Sequence, residues 1–301
     1  MPNPPLRERS MREIHLTLSA ADAHPLAATL FEPSRPPQAA VLINSATGVP
    51  RGYYRAYAQF LAHRGFAVLC YDYRGIGNSR FHGARNEQLT MRNWGELDAA
   101  AAIDYLGTRY PRRSLLAIAH SVGGQLIGLA ANNEQLDAVL CVAAQSGYWR
   151  HWPQRLQPVM AAIWHLLVPV AATLSDPLPQ RLLGAELPRG IAREWARWCR
   201  HPEFIVDAQG RSLHAGFERY RGRMRFITIS DDAFYAPPQA GQALARKYRN
   251  AQVELSQLTP AMLGVEAIGH FGYFRNGMAP AWQDSADWLR NAIPHSQHKA
   301  A

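Results

Sequence analysis

The chain has 301 residues, of which 48% are hydrophobic, enough for a sizeable core in one large domain or two modest ones. Its formal charge is +9, and all of its 32 basic residues except Lys247 and Lys299 are arginines. These arginines are scattered and accompany no nucleic-acid-binding motif, so the charge favours a solvated surface and predicts no nucleic-acid partner.

Cysteine usage and the first residues bear on the cellular compartment. Cys70, Cys141 and Cys199 lie far apart, and the first two stand inside apolar runs. The chain begins with polar and proline-rich residues and shows no apolar stretch of a signal peptide there. We therefore expect buried thiols in the reducing cytoplasm.

The first half of the chain alternates between short apolar runs and helical patterns. Apolar or alternating runs predict strands at residues 13–18, 26–32, 39–44, 66–73, 115–118 and 138–144. Helical spacing of apolar residues predicts helices at residues 53–64, 94–110 and 125–130. The first two strands suit a hairpin, and the later alternation predicts a doubly wound, mostly parallel sheet, because parallel neighbours need helical crossovers.

This alternation stops at residues 146–222, which are rich in tryptophan and proline and predict several short helices. An insertion at the carboxyl edge of a sheet covers the place where ligands bind, so we interpret the segment as a cap with Trp149, Trp152 and Trp164 facing substrate. Residues 156–175 carry no formal charge, but proline and polar residues interrupt them. We expect a substrate-facing or cap-core role here and no integral membrane segment, with membrane-surface contact as the alternative.

Residues 115–124 combine a buried strand, a sharp turn and a helix, with Ser121 at the corner. Small residues at 119 and 123 suit a turn in which the helix passes close to the strand. The N–H of Val122 stands at the start of the helix, where developing negative charge is favoured. This stretch resembles the nucleophile elbow G-x-S-x-G of the α/β-hydrolase superfamily, with Ala119 at the first glycine. The structural alternative is a serine that caps its helix.

Two further stretches extend this resemblance. Residues 72–79, Asp-Tyr-Arg-Gly-Ile-Gly-Asn-Ser, resemble the D-x-R-G-x-G-x-S loop common in α/β-hydrolases. After the strand at residues 39–44, Ser45 and Ala46 stand where the superfamily has His-Gly in the loop that supplies a second oxyanion donor. The resemblance assigns this donor to the backbone N–H of Ala46, with Thr47 as the close rival.

An acid and a histidine complete the pattern. In the superfamily the acid usually precedes, by about four residues, a proline that opens the next helix, which favours Asp232 over Asp231 before Pro237. His270 lies between two glycines, after the last predicted strand at residues 253–258 and before a helix at 282–292. Ser121, Asp232 and His270 thus occur in the superfamily's order.

The resemblance covers residues from about 12 to 293 and is to capped esterases, lipases and peptidases of the serine aminopeptidase and monoacylglycerol-lipase type. It implies an α/β-hydrolase fold divided as follows: core at residues 12–145 and 223–293, helical cap at 146–222, and flexible tails at 1–11 and 294–301.

The implied activity is hydrolysis of an acyl bond in a small molecule through an acyl-serine. Ser121 is the expected nucleophile, His270 the base and Asp232 its orienting acid, with oxyanion donors at Val122 and Ala46. No metal or other cofactor is required. A carboxylic ester with an apolar group is the expected substrate, while a thioester or amide stays open, as does a non-hydrolytic ligand-binding protein in which Ser121 only hydrogen-bonds its ligand.

Overall fold

The computed structural model describes residues 11–80 and 88–294, and these form one eight-stranded sheet of order β1-β2-β4-β3-β5-β6-β7-β8. The strands are β1 Met11–Ser19, β2 Pro25–Pro33, β3 Ala39–Asn44, β4 Phe66–Tyr71, β5 Ser114–His120, β6 Leu136–Val142, β7 Arg223–Ile229 and β8 Gln252–Leu258. Strand β2 runs antiparallel to β1 and β4, and all other pairs are parallel. The predicted mostly parallel sheet is confirmed. Apart from Met11 and Pro294, the predicted tails lie outside the described residues.

Helices connect the strands and cover both faces of the sheet. They are α1 Arg55–His63, α2 Met91–Asn93, α3 Ala100–Arg109, α4 Val122–Ile127, α5 Gln157–Ala162, α6 Val168–Leu174, α7 Gln180–Leu183, α8 Arg189–Arg200, α9 Ala215–Arg219, α10 Pro238–Ala245, α11 Pro260–Leu263, α12 Gly269–Gly272 and α13 Ala279–Asn291. A π-helical segment, Trp94–Ala99, joins α2 to α3, and another, Ile163–Leu167, joins α5 to α6. Short 3-10 turns lie at Arg51–Tyr54, Gly77–Ser79, Asn133–Gln135 and Trp149–His151.

The central strands are buried on both faces, which explains their nearly continuous apolar sequence. In β3, Val41 and Ile43 belong to one buried cluster together with side chains of α1 and α13. Ala40 and Leu42 alternate with them and belong to the cluster on the opposite face, which includes side chains of α3 and α4. By contrast, β8 lies at the edge of the sheet and is largely exposed, as its alternating sequence predicts.

The loop at residues 72–79 folds around the carboxylate of Asp72. This carboxylate accepts a hydrogen bond from the backbone N–H of Asn78 at 2.9 Å, and Ser79 Oγ donates to the Asp72 carbonyl oxygen at 2.7 Å. A Cβ atom at Gly77 would lie 2.5 Å from Asp72 Oδ2, so a larger residue would displace the carboxylate. The resemblance to the D-x-R-G-x-G-x-S loop therefore corresponds to a compact turn after β4.

The segment between β6 and β7 contains α5 to α9. Helices α5 and α6, with the π-helical segment between them, form one helix over Gln157–Leu174 that is long and apolar enough to span a membrane, with mean hydropathy 1.5. Length and composition alone are weak evidence for a span, because core helices satisfy the same criteria. The inward side of this helix is buried at Met160, Trp164 and Val168, and α6 packs against α8.

Candidate active site

Ser121 occupies a strained corner between β5 and α4. Its backbone φ is +54°, a conformation that costs a non-glycine residue about 1–3 kcal/mol. The helix passes so close to β3 that a Cβ atom at Gly123 would lie 2.5 Å from the Asn44 carbonyl oxygen. This close approach is the reason for the small residue that the elbow pattern demands at position 123, and it brings Ser121 to the carboxyl edge of the sheet.

The structure brings together the three residues selected from the sequence. His270 Nε2 lies 2.9 Å from Ser121 Oγ, and His270 Nδ1 lies 2.6 Å from Asp232 Oδ2. The side chains of His270 and Asp232 are 4% and 2% exposed. Because the carboxylate accepts the Nδ1–H proton, Nε2 carries the lone pair and accepts from the serine hydroxyl. The arrangement can therefore remove a proton from Ser121.

The two neighbouring aspartates have different partners. Asp232 Oδ1 accepts from the backbone N–H groups of Tyr235 and Ala236, both at 3.2 Å, which fixes the carboxylate while its other oxygen contacts His270. Asp231 Oδ2 instead accepts from the N–H groups of Ile268 and Gly269, at 2.8 and 3.1 Å. Asp231 thus binds the segment that carries His270, and Asp232 contacts the ring.

The two expected oxyanion donors differ in their surroundings. Val122 is the first residue of α4, where backbone N–H groups have no partner within the helix. The N–H of Ala46, however, donates to Tyr54 Oη at 2.8 Å. This contact occupies the N–H that the sequence assigned as the second donor. Ala46 and its rival in the sequence, Thr47, both line the same cavity as Ser121.

A second buried histidine, His120, precedes Ser121 in the chain and contacts His270. His120 Nε2 is 2.9 Å from the His270 carbonyl oxygen, and its Nδ1 is 2.8 Å from Tyr54 Oη. Burial and the neighbouring His270 hold the pKa of His120 well below its usual range. Sequence analysis missed Tyr54, because a tyrosine just before a helix carries no signal of a polar role.

A cavity of about 620 Å³ opens beside Ser121. Its walls are mainly aromatic and aliphatic, and no described lining residue is an aspartate or glutamate. Trp152 and Trp164 line it, whereas Trp149 does not. Trp149 belongs to a 3-10 turn, where its ring packs against Tyr148, His165 and Arg150. Much of the wall comes from the segment between β6 and β7: Gly147, Trp152, Met160, Ile163, Trp164, Gln180, Arg181, Gly184, Trp195 and Cys199.

Within residues 11–80 and 88–294, no group of three or more histidine, cysteine, aspartate or glutamate side chains has an arrangement that could hold a metal ion. Cys70, Cys141 and Cys199 are buried free thiols, and burial raises the pKa of each. Their low thiolate content makes these three thiols unreactive.

The family is decided by a match over more than half of the chain. Residues 35–196 match the model of a family described as serine aminopeptidase, S33. The chain belongs to this hydrolase family. In the S33 chain the matched range contains Ser121, while Asp232 and His270 lie beyond it.

Solved structures similar to this S33 chain include three hydrolases. An esterase of Pyrococcus furiosus shares 13% identity and a TM-score of 0.62 over 97% of this chain and 95% of that one. An esterase domain from Rhodothermus marinus is 18% identical in sequence and has a TM-score of 0.59. The match covers 93% of this chain and 99% of that one. An α/β serine hydrolase without lid from Xanthomonas campestris is 12% identical in sequence and has a TM-score of 0.55. The match covers 94% of this chain and 96% of that one. These similarities show the α/β-hydrolase fold. A comparison with curated proteins gave no significant match.

Proposed function

We propose that this hydrolase-family protein cleaves a carboxylic ester through an acyl-serine intermediate. The observation that carries the proposal is the chain of hydrogen bonds from Asp232 through His270 to Ser121, at a strained elbow beside a cavity. A serine that merely caps its helix would accept a hydrogen bond from a backbone N–H of the first turn, and the Ser121 side chain makes no cap hydrogen bond.

The reaction follows from the placement of the protons. His270 Nε2 takes the proton of Ser121 as Oγ attacks the ester carbonyl carbon, and Asp232 stabilises the resulting imidazolium. The carbonyl oxygen becomes an oxyanion that accepts hydrogen bonds from the Val122 N–H and, in this proposal, from the Thr47 N–H. Collapse of the intermediate breaks the bond to the alcohol oxygen, which receives the proton from His270. A water molecule, activated by the same histidine, then hydrolyses the acyl-serine and releases the acid.

The lining of the cavity supports an ester rather than a peptide with a free amino terminus. An aminopeptidase must hold the α-ammonium group of its substrate, and an anionic side chain is the usual partner for a buried cation. The described lining residues provide Arg181 but no aspartate or glutamate. Trp152, Trp164 and Met160 instead offer an apolar surface, which suits the hydrocarbon part of an ester.

We further propose that residues 146–222 act as a cap over this cavity and contact a lipid surface. The outward side of the helix Gln157–Leu174 exposes large apolar side chains: Val159 46%, Leu166 64%, Leu167 46%, Val170 46% and Leu174 80%. Its inward side contributes Met160, Ile163 and Trp164 to the cavity wall. One helix would thus lie between the substrate and an apolar phase. The three free thiols suit the cytoplasm as the compartment.

The test is mass spectrometry of the intact protein after exposure to a fluorophosphonate, followed by a screen of esters, thioesters and amides. We expect one adduct on the wild type, none on Ser121→Ala, and greatly slowed labelling of His270→Ala. Ser230→Ala removes an exposed serine and serves as the matched control, which should label like the wild type. A folded wild-type protein without an adduct would overturn the proposal in favour of a binding protein.

A further inference from the structure

Tyr54 and His120 connect three separate parts of the site. The loop after β3 contributes the Ala46 N–H, which donates to Tyr54 Oη at 2.8 Å. The same hydroxyl lies 2.8 Å from His120 Nδ1, at the end of β5. His120 Nε2 then reaches the carbonyl oxygen of His270, at 2.9 Å. A continuous line of hydrogen bonds therefore joins the oxyanion loop, the residue before the nucleophile and the segment that carries the base.

The direction of each hydrogen bond follows from elementary chemistry. A carbonyl oxygen only accepts, so His120 must carry its proton on Nε2. In a neutral ring Nδ1 is then an acceptor, and the Tyr54 hydroxyl must donate to it. The remaining lone pairs of Tyr54 accept from the Ala46 N–H. Each N–H and O–H group in this line therefore donates one hydrogen bond. A proton added to His120 Nδ1 would leave the Tyr54 hydroxyl without an acceptor for its proton.

Burial supports this neutral arrangement. Tyr54 and His120 are both 0% exposed. Desolvation raises the pKa of Tyr54 well above its usual range, while it lowers the pKa of His120 well below. Neither group gains a charge near neutral pH, so the line of hydrogen bonds is a fixed structural connection and not a route for proton transfer.

His120 is also distinct from the reactive residues. Both of its ring nitrogens are occupied, by Tyr54 Oη and the His270 carbonyl oxygen, whereas the Ser121 hydroxyl contacts the ring of His270. The His120 and His270 rings lie with centroids 5.2 Å apart and tilted by 37°. His120 therefore acts on the backbone of His270 and not on the transferred proton.

We infer that Tyr54 and His120 are positioning residues that hold the oxyanion loop and the His270 segment in one fixed relation, an inference that rests on the proposed function. By accepting the hydrogen bond of the Ala46 N–H, Tyr54 leaves the next amide, that of Thr47, as the donor to the oxyanion. Through His120 the same contact sets the height of the His270 ring relative to Ser121. The positions of the base and of the second oxyanion donor are thus coupled. Removing the hydrogen bonds of either Tyr54 or His120 therefore displaces both.

Two substitutions of His120 separate its two contacts. The amide of His120→Asn stands near the former Nδ1 and retains a partner for Tyr54, whereas that of His120→Gln reaches the former Nε2 and retains the donor to His270. Tyr54→Phe removes the hydroxyl between them. Tyr57→Phe is the matched control, because Tyr57 is equally buried on the next helix but bonds to Ser285 Oγ, away from the cavity.

We would measure kcat and KM with p-nitrophenyl butyrate for each variant and for the double variant Tyr54→Phe/His120→Gln. The inference predicts that kcat falls 10- to 100-fold in each single variant while KM changes less than twofold, and that the double variant is no slower than the slower single one. Tyr57→Phe should stay within twofold of the wild type. Multiplying effects in the double variant, or unchanged kcat in the single variants, would overturn the inference.

A second measurement does not depend on activity. Nitrogen NMR of the histidine rings should show His120 as the neutral Nε2–H tautomer, and amide exchange at Ala46 should be slow in the wild type and much faster in Tyr54→Phe but not in Tyr57→Phe. The Nδ1–H tautomer, or an Ala46 exchange rate that ignores Tyr54, would overturn the inference. A wild type with these NMR properties but no fluorophosphonate adduct would instead refute the proposed hydrolase activity alone.

Discussion

Asp231 and Asp232 are adjacent in the chain, yet Asp232 lies 2.6 Å from His270 Nδ1 while Asp231 binds the backbone N–H groups of Ile268 and Gly269. One carboxylate therefore orients the ring, and the other holds the segment that carries it. The same type of side chain thus contacts the imidazole ring at one position and binds the backbone at the next.

Asp232→Asn should lower kcat by roughly 10³–10⁴-fold, because an amide stabilises neither the required tautomer nor the imidazolium. Asp231→Asn keeps an oxygen that accepts from the backbone, so we expect its kcat to fall less than tenfold. Steady-state kinetics with a p-nitrophenyl ester compares the two. Equal losses would show that Asp232 has no special role in the reaction.

Gly123→Ala should destabilise the protein by about 1–3 kcal/mol or more, because its Cβ atom would lie 2.5 Å from the Asn44 carbonyl oxygen. Urea denaturation measures the change in the free energy of unfolding. Gly52→Ala is the control, since a Cβ there meets nothing within 4 Å. If both variants unfold at the wild-type urea concentration, helix α4 does not pass β3 as closely as described.

The stability of the fold should depend on pH through His120. Its ordinary pKa is 6.5, and the folded value lies well below this. Below pH 6.5 the unfolded chain therefore binds a proton that the folded protein does not, and stability falls as the pH falls, by up to about 1.4 kcal/mol per pH unit. The rings packed against His120 are those of Tyr54, His270, Phe271 and Phe274.

The comparison of wild type with His120→Gln between pH 5 and 8 isolates this contribution from the other histidines. The difference in unfolding free energy between the two proteins should shrink as the pH falls from 6.5 to 5. Parallel curves over the whole range would mean that His120 titrates alike in the folded and unfolded chain.

The preferred length of the acyl group should respond to residues of the cavity wall. Ile163→Trp places a larger side chain in the cavity from a partly exposed helix position, so we expect kcat/KM for a p-nitrophenyl octanoate to fall about tenfold while that for the acetate stays within twofold. Trp149→Ala changes a residue of the same segment that does not line the cavity and should leave this ratio unchanged. A shifted ratio in Trp149→Ala alone would place the acyl group elsewhere.

Binding to lipid vesicles should depend on the exposed side of the helix Gln157–Leu174. We expect Leu166→Glu/Leu174→Glu to lower co-sedimentation with phosphatidylglycerol vesicles at least tenfold, because charged side chains resist transfer into the acyl region. Leu255→Glu alters another exposed leucine, 53% exposed on β8, and should bind like the wild type. Binding that is absent in all three proteins would remove the lipid-surface proposal, while hydrolysis of soluble esters would still test the active site.

The sequence was most informative where one local pattern determines the geometry. The elbow around Ser121 needs a small residue at 123, and the buried strands need continuous apolar runs, so both follow from short stretches of chain. The hydrogen bond from the Ala46 N–H to Tyr54 did not follow, because no sequence pattern marks Tyr54 as its partner. Trp149 and Trp152 lie only three residues apart, and a 3-10 turn directs one of them away from the cavity.

The hydrogen bond between Ser121 and His270 joins residues 149 positions apart in the chain. It can form only after β5, β6 and β7 have paired, since Ser121 follows the first of these strands and the loop with Asp231 and Asp232 follows the last. In a chain in which these strands have not yet paired, Ser121 therefore lacks its contact with His270. Under the proposed function, labelling by a fluorophosphonate during refolding would count the molecules that have completed the sheet.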